Sequence, residues 1–336
     1  MLTKLTMILA GTVLWTAAAQ AQDYPETNIR FGHSVSQTST SSLADDWAAQ
    51  EIAKRSNDKV KFQMFWAGAA GSPAELFDLI STGALDAGAL TPSWYAANLP
   101  FFAPLSSAPF SYPNSAAAVQ IGNALLADIP ALKEEADKNK LHVMRFAQFN
   151  EYHMLCTQPL RTIEDFKGRK IRSQGDYFPI VLNTLGATPV TVLPGEFYES
   201  MQRGTIDCII LPYDFLVSNR LYEVAKYASE ITFGPIVAHM SVMNLDKWNS
   251  LDPSVQKLIT DVQKEAEAYD EKMTAAANDK SLATLKENGV EVLPFPEQEK
   301  LEGMLPDMLD VWSKMMTDKG MGDQAAAVVA KWKELR

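Results

Sequence analysis

Strand-like and helix-like stretches alternate along this chain, and that order leaves few folds open. Residues 29–33 read as a strand. After the polar run 34–42, residues 43–55 carry Leu43, Trp47 and Ile52 at helical spacing. Val60, Phe62, Met64 and Trp66 then alternate with Lys61 and Gln63, as a strand with one exposed face does. A helix over 74–81 stops at Gly83, and 85–90 is another strand. This βαβα order argues for a parallel sheet covered by helices. Residues 100–113, with four prolines and several aromatics, form a packed irregular connection. Helices across 116–139 break at Pro130, and a strand follows at 141–149.

The pattern then repeats. Strands at 152–157, 170–172, 188–192 and 207–211 alternate with helical stretches at 162–166, 178–185, 196–203 and 215–222. A returning strand pair spans 231–243. A long helix then runs to Lys286, with Asp252 as its N-cap and Pro253 at its first position. The last fifty residues add a strand at 290–293 and two helices. The expected fold class is α/β, with two lobes, a parallel or mixed sheet in each, and long C-terminal helices. We assign 22–147 with about 236–275 to the first lobe, and 148–235 with about 276–336 to the second. Such lobes leave a cleft at the carboxyl ends of their strands, where ligands of α/β sheets bind.

Composition narrows the role. Lys and Arg total 30 against 41 Asp and Glu, a formal charge of −11, which argues against nucleic acid or an anionic membrane surface as partner. Lys4 is the only charge before Asp23. It precedes an apolar run ending in Ala17-Ala18-Ala19-Gln20-Ala21, so residues 1–21 are expected to be a Sec signal peptide cleaved before Gln22. The run is short for an uncleaved anchor, and the mature protein is expected in the periplasm. Cys156 and Cys208 both lie in apolar strand-like stretches, and their spacing leaves one disulfide and two separate buried thiols equally open. His33, His142, His153 and His239 are scattered, and no metal or cofactor site is legible. The chain also lacks a G-x-S-x-G elbow, a phosphate loop, H-E-x-x-H and G-x-G-x-x-G, so no enzyme is expected.

Several spaced motifs carry a family likeness. The run Pro159-Leu160-Arg161-Thr162-Ile163-Glu164-Asp165-Phe166-Lys167-Gly168-Arg169-Lys170-Ile171-Arg172 resembles the segment holding the carboxylate-anchoring arginine of substrate-binding proteins from tripartite ATP-independent periplasmic (TRAP) transporters, the DctP-like family. Arg172 is the matching position. Leu185-Gly186-Ala187-Thr188-Pro189-Val190 and the stretch from Glu196 to Asp207 resemble the family's G-A-x-P and E-x-Y-x-x-x-x-x-G-x-x-D elements. Ser81 to Asp86 and Leu221-Tyr222-Glu223-Val224 resemble two more. The resemblance implies a monomeric two-lobed protein without cofactor that closes on an organic acid. It also implies delivery to the small and large membrane subunits of a permease driven by an ion gradient. A guanidinium suits the anchor because its planar fork offers a carboxylate two parallel N–H donors.

The sequence departs from that pattern where ligand specificity is set. Family members that bind polar acids follow the strand's Asp with G-Q-E-N-P, whereas Leu211 stands at the Asn position here. Thr91 and Trp94 fall where sugar-acid binders hold charged residues, and Tyr152 falls near the position where such binders carry a second arginine. A buried polar ligand group facing leucine would lose a partner at about 1 to 3 kcal/mol. The expected ligand is therefore a monocarboxylate with an aromatic body, of benzoate or hydroxybenzoate type. Trp94, Tyr152 and Tyr213 would flank the ring, and His33 would receive a ring hydroxyl. His33, Ser34, Trp66, Thr91 and Trp94 would close the first-lobe side, with Asp176 completing the set beside Arg172. A C4-dicarboxylate or an aliphatic 2-oxo acid is the competing ligand. Competing roles are the binding protein of an ATP-driven transporter, a secreted enzyme and a periplasmic sensor partner.

Overall fold

The computed structural model describes residues 23–193 and 195–336; the expected signal peptide lies outside the described residues. The chain begins β1 (Thr27–Gly32), α1 (Leu43–Arg55), β2 (Val60–Phe65), α2 (Pro73–Ser81), β3 (Ala87–Leu90), α3 (Ser115–Asp128), α4 (Pro130–Lys138) and β4 (Leu141–Gln148). It continues with β5 (His153–Cys156), β6 (Lys170–Ser173), α5 (Phe178–Thr184), β7 (Thr188–Thr191), α6 (Phe197–Gln202), β8 (Cys208–Leu211), α7 (Tyr213–Ser218) and β9 (Tyr227–Thr232). It ends with β10 (Val237–Asn244), α8 (Leu245–Ser250), α9 (Pro253–Glu287), β11 (Glu291–Leu293), α10 (Gln298–Met304), α11 (Met308–Asp318) and α12 (Gly322–Leu335).

Two mixed sheets result, one per lobe. The first has the order β2-β1-β3-β10-β4, with β1 parallel to β2 and β3 and β10 antiparallel to both its neighbours. The second has the order β11-β9-β5-β8-β6-β7, in which β5 is antiparallel to β8 and β9 while β6 is parallel to β7 and β8. β10 is buried along its whole length between β3 and β4. Its period-two alternation turns His239 and Ser241 to one face, where both meet Asp45 of α1. β1 and β3 approach so closely at the paired Gly32 and Gly88 that a Cβ on Gly88 would lie 2.7 Å from the Gly32 carbonyl oxygen.

The lobes connect three times: through 149–152, through 233–236 and along α9. The two strand crossings bond to each other, the Phe149 amide to the Ile236 carbonyl (3.1 Å) and the Tyr152 amide to the Gly234 carbonyl (3.1 Å). Asn150 ties them to α9 by donating to the Thr274 carbonyl at 2.8 Å. α9 starts as expected, with Asp252 accepting from the Ser254 amide and Pro253 next. It lies against α1, where Trp47 stacks on Tyr269 at 5.0 Å. The tail assigned to the second lobe sends α11 and α12 back to the irregular 100–112 segment. Trp312 donates to the Pro100 carbonyl (3.1 Å) and Trp332 to the Ser111 carbonyl (2.9 Å).

Three local expectations are corrected. Three helices follow β11 rather than two, because Leu305 is extended before Pro306 and ends α10. The helix expected over 215–222 starts at Tyr213 and stops at Ser218, since Arg220 adopts a left-handed φ of 54°. The short α8 was not foreseen. Cys156 and Cys208 face each other across β5 and β8 and form a disulfide, which resolves the alternatives the spacing left open.

Candidate functional site

A cavity of about 70 Å3 opens between the lobes, at the carboxyl ends of β1, β3, β6 and β8 and near the start of β10. Larger depressions of about 520 and 350 Å3 are surface grooves, neither of which Arg172 lines. One wall of the cavity comes from the second lobe and its crossing segments. Arg172 projects from β6 and is only 6% exposed. Its Nε donates to the Val192 carbonyl at 3.4 Å, and its guanidinium carbon lies 4.9 Å from the centre of the Phe197 ring. Neither Nη group makes a hydrogen bond or ion pair among the described residues. Burial pushes the guanidinium down to about 10, only partly countered by the Tyr152 hydroxyl. A desolvated cation without a counter-ion is costly, and a bound anion relieves that cost.

Around this cation the wall is mostly apolar, with Gln174 contributing an amide. Phe149, Tyr152, Phe197, Leu211, Phe215 and Ile236 line it. Phe149 packs edge-on against Phe215 at 5.1 Å and against Tyr152 at 5.9 Å, which fixes the rings in place. Tyr152 is itself buried, and that burial pushes its hydroxyl up to about 12. Leu211 ends β8, so an aliphatic side chain stands where polar-acid binders are expected to place an amide.

The facing first-lobe wall is richer in polar groups and, among the described residues, contributes no carboxylate or lysine. His33, Ser34, Ser41, Thr91, Ser93, Ser106 and His239 line it, with Trp94 at the mouth, 41% exposed. Thr91 donates to the Ala238 carbonyl at 3.1 Å, which joins the loop after β3 to β10. Behind this wall lies a buried ionic network. Arg145 of β4 donates to Asp45 (2.6 Å), to Asp270 of α9 (3.3 Å) and to Gln263 (3.2 Å). Burial opposes the charge on Asp45, but Arg145 and His239 outweigh it and hold the carboxyl well below its ordinary range. Burial also pushes His239 down to about 4 despite the 2.8 Å contact with Asp45, and the nearby His33 and Arg145 add to that lowering.

Seven of the ten residues expected at the cleft therefore line the cavity: Arg172, Trp94, Tyr152, Leu211, Thr91, His33 and Ser34. Three do not. Tyr213 stacks flat on His153 at 4.0 Å, Trp66 sits behind His33 with its ring 5.4 Å away, and Asp176 is exposed in the turn after β6. Phe149, Phe197, Phe215 and His239 were missed. Phe197 lies inside the E-x-Y element and was open to notice; the others are brought in by packing between distant segments.

Comparison with known proteins identifies the family. Residues 31–319 match the model for bacterial extracellular solute-binding protein, family 7 (DctP). The chain is 24% identical over 289 residues to the 2,3-diketo-L-gulonate-binding periplasmic protein of Escherichia coli, covering 85% of this chain and 86% of that one. It is 22% identical to the C4-dicarboxylate-binding protein DctB of Bacillus subtilis, covering 82% and 78%. Among solved structures, a TRAP periplasmic solute-binding protein of Desulfovibrio salexigens with bound orotic acid superposes with a TM-score of 0.79 at 20% identity, covering 92% of this chain and 99% of that one. A second, from Chromohalobacter salexigens with bound D-glucuronate, gives 0.80 at 17% identity, covering 92% and 100%. With 289 of its residues matched by the family model and the two-lobed fold shared with these proteins, the chain belongs to family 7 of the bacterial extracellular solute-binding proteins.

Proposed function

We propose that this protein captures an organic monocarboxylate with an apolar, aromatic body, of benzoate or hydroxybenzoate type, and presents it to the small and large membrane subunits of a TRAP permease. One observation carries this reading: a buried guanidinium with both Nη groups unpartnered among the described residues, set in a wall made mainly of rings and aliphatic side chains, with Gln174 its one amide. The carboxylate docks on Arg172, the body lies against Phe149, Phe197, Leu211 and Phe215, and Thr91 and Trp94 close over it from the other lobe. Closure follows because the ligand touches both walls only in the closed state. Export to the periplasm, cleavage before Gln22, a monomeric protein and the lobe boundaries near 147, 235 and 275 belong to the same proposal. So does binding without catalysis, as the family's description as solute-binding proteins suggests.

A second reading has an observation in its favour. The cavity holds about 70 Å3, whereas a cavity of about 150 Å3 is what admits benzene. A short 2-oxo acid fits that volume directly, and a ring requires the lobes to part further. A C4-dicarboxylate is less suited, since among the described residues Arg172 is the only lysine or arginine lining the cavity. Thermal shift and competitive calorimetry with benzoate, 4-hydroxybenzoate, pyruvate and succinate separate these ligands. Saturable binding of benzoates supports the aromatic reading, and binding of pyruvate or succinate with no benzoate signal sinks it. A ligand at a hundred times its Kd stabilises the protein by about 2.7 kcal/mol, well within reach of a thermal shift.

A further inference from the structure

The polar wall contains one group that can only accept. Asp45 is the centre from which this follows. Its Oδ1 accepts from Arg145 Nη2 and from the Ser241 hydroxyl, both at 2.6 Å, and its Oδ2 lies 2.8 Å from His239 Nε2. An ionised carboxylate has no proton to give, so His239 donates through Nε2–H, and its Nδ1 keeps a bare lone pair. His239 lines the cavity, and its Nδ1 has no hydrogen-bond partner among the described residues. The wall's serine and threonine hydroxyls rotate to donate or accept as a ligand requires, whereas Nδ1 accepts only.

His33 does not duplicate this role, although it too lines the cavity. Its Nδ1 lone pair accepts from the Val35 amide at 3.3 Å, which leaves the proton on Nε2, 3.4 Å from Asp45 Oδ2 and without a hydrogen bond. His33, Asp45 and His239 bring ligand atoms within 4.8 Å of one another, but the Arg145 guanidinium already sits 2.6 Å from the Asp45 carboxylate and competes with a metal ion for it.

We propose that His239 Nδ1 is a specificity contact that receives a hydrogen bond from the ligand, so that the ligand class is a hydroxylated carboxylate whose hydroxyl stands across the cavity from the Arg172 end. Asp45, held by Arg145 and Ser241, is the positioning residue that keeps the acceptor nitrogen turned to the ligand. An acid without a donor there would bury Nδ1 unpaired, which amounts to roughly a tenfold to hundredfold loss of affinity. The inference rests on Arg172 binding the carboxylate as proposed above and adds a requirement at the opposite wall.

The test is calorimetric titration of the purified protein with matched acids: lactate and propionate, malate and succinate, 3- and 4-hydroxybenzoate and benzoate. The expected result is that at least one hydroxylated acid binds about tenfold or more tightly than its parent. That preference should fall below about threefold in His239→Phe, with the parent acid binding the variant at least as tightly as it binds the wild type, because no unpaired Nδ1 is then buried. Because His239→Phe disturbs a buried network, the wild type supplies a second reading. The 15N resonance of Nδ1 should move when the preferred hydroxylated acid is added and stay in place with its parent. Equal binding within every pair, with both members lost in Arg172→Met, overturns this inference and leaves the carboxylate reading standing. So does a preference that survives in folded His239→Phe, or stoichiometric binding of zinc alone that is lost in Asp45→Asn. Failure of every acid to bind the wild type overturns the carboxylate reading and this inference together.

Discussion

Each lobe of this protein buries an arginine, and the two are treated in opposite ways. Arg145, in the first lobe, is enclosed by Asp45, Asp270 and Gln263, and although its burial works against the charge, the two carboxylates raise its affinity for the proton. Arg172, in the second, is almost as deeply buried, yet no carboxylate of the described residues lies within ion-pair distance, and burial lowers it to about 10. A guanidinium whose charge is balanced inside the protein holds structure together. One left unbalanced at a cavity wall is completed from outside. The contrast supports the proposed carboxylate contact at Arg172 without reference to any relative.

Breaking each arginine tests that contrast. Arg145→Met should produce the largest effect, a loss of about 3 to 5 kcal/mol of unfolding free energy in urea, because Asp45 and Asp270 are left buried without their cation. Arg172→Ala should leave urea stability within about 1 kcal/mol of wild type while weakening acid binding roughly a hundredfold. Destabilisation as large as that of Arg145→Met would make the two arginines equivalent and remove Arg172 from the site.

Acid titration sharpens the comparison, because the Arg145 network holds groups that change protonation between pH 4 and 7 whereas Arg172 keeps its charge there. Burial raises Asp270 to about 6, so the folded state holds a proton between about 6 and the ordinary 3.8 that the unfolded chain lacks, and lowering pH through that window adds stability. His239, lowered to about 4, works the other way: its contribution is complete above 6.5 and is lost as pH falls towards 4. The two largely offset one another between 6 and 4. Asp270→Asn removes the compensation, so the variant should fall behind wild type by up to about 1.4 kcal/mol per pH unit across that window. Parallel curves for variant and wild type would show Asp270 ionised throughout. The smallest effect belongs to a third arginine. Arg55 pairs with Glu51 and Glu265 at distances as short as those of Arg145, but it is exposed, and Arg55→Ala should cost less than about 1 kcal/mol.

Where local chemistry decides structure, the sequence was readable. Helical spacing placed α1 at its observed bounds, Pro130 separated α3 from α4, and Asp252-Pro253 started α9. Arg172, Thr91, Trp94 and Leu211 were legible because motif spacing ties them to strand ends that line the cavity. What could not be read depends on contacts between distant residues. His239 reaches the cavity only because β10 slots between β3 and β4, and its acceptor nitrogen is set by Asp45, 194 residues away. Cys156 and Cys208 are joined by strand register, which their 52-residue separation did not predict. Tyr213 and Trp66 were drawn towards the site by ring type, yet the rings they pack against are His153 and His33.

The interior position of β10 also bears on how the protein is made. Its residues emerge only after the whole second sheet except β11 has been synthesised, so a nascent chain holding β1 to β4 lacks the strand that joins β3 to β4. The first 150 residues have no complete sheet to fold into until about residue 244 arrives. Long loops of this kind must close before their contacts contribute, which delays the collapse of the first lobe. A polypeptide kept open until three quarters of it exists stays threadable for longer, a property that suits transfer through a narrow channel and makes premature compaction at the amino-terminal end unfavourable.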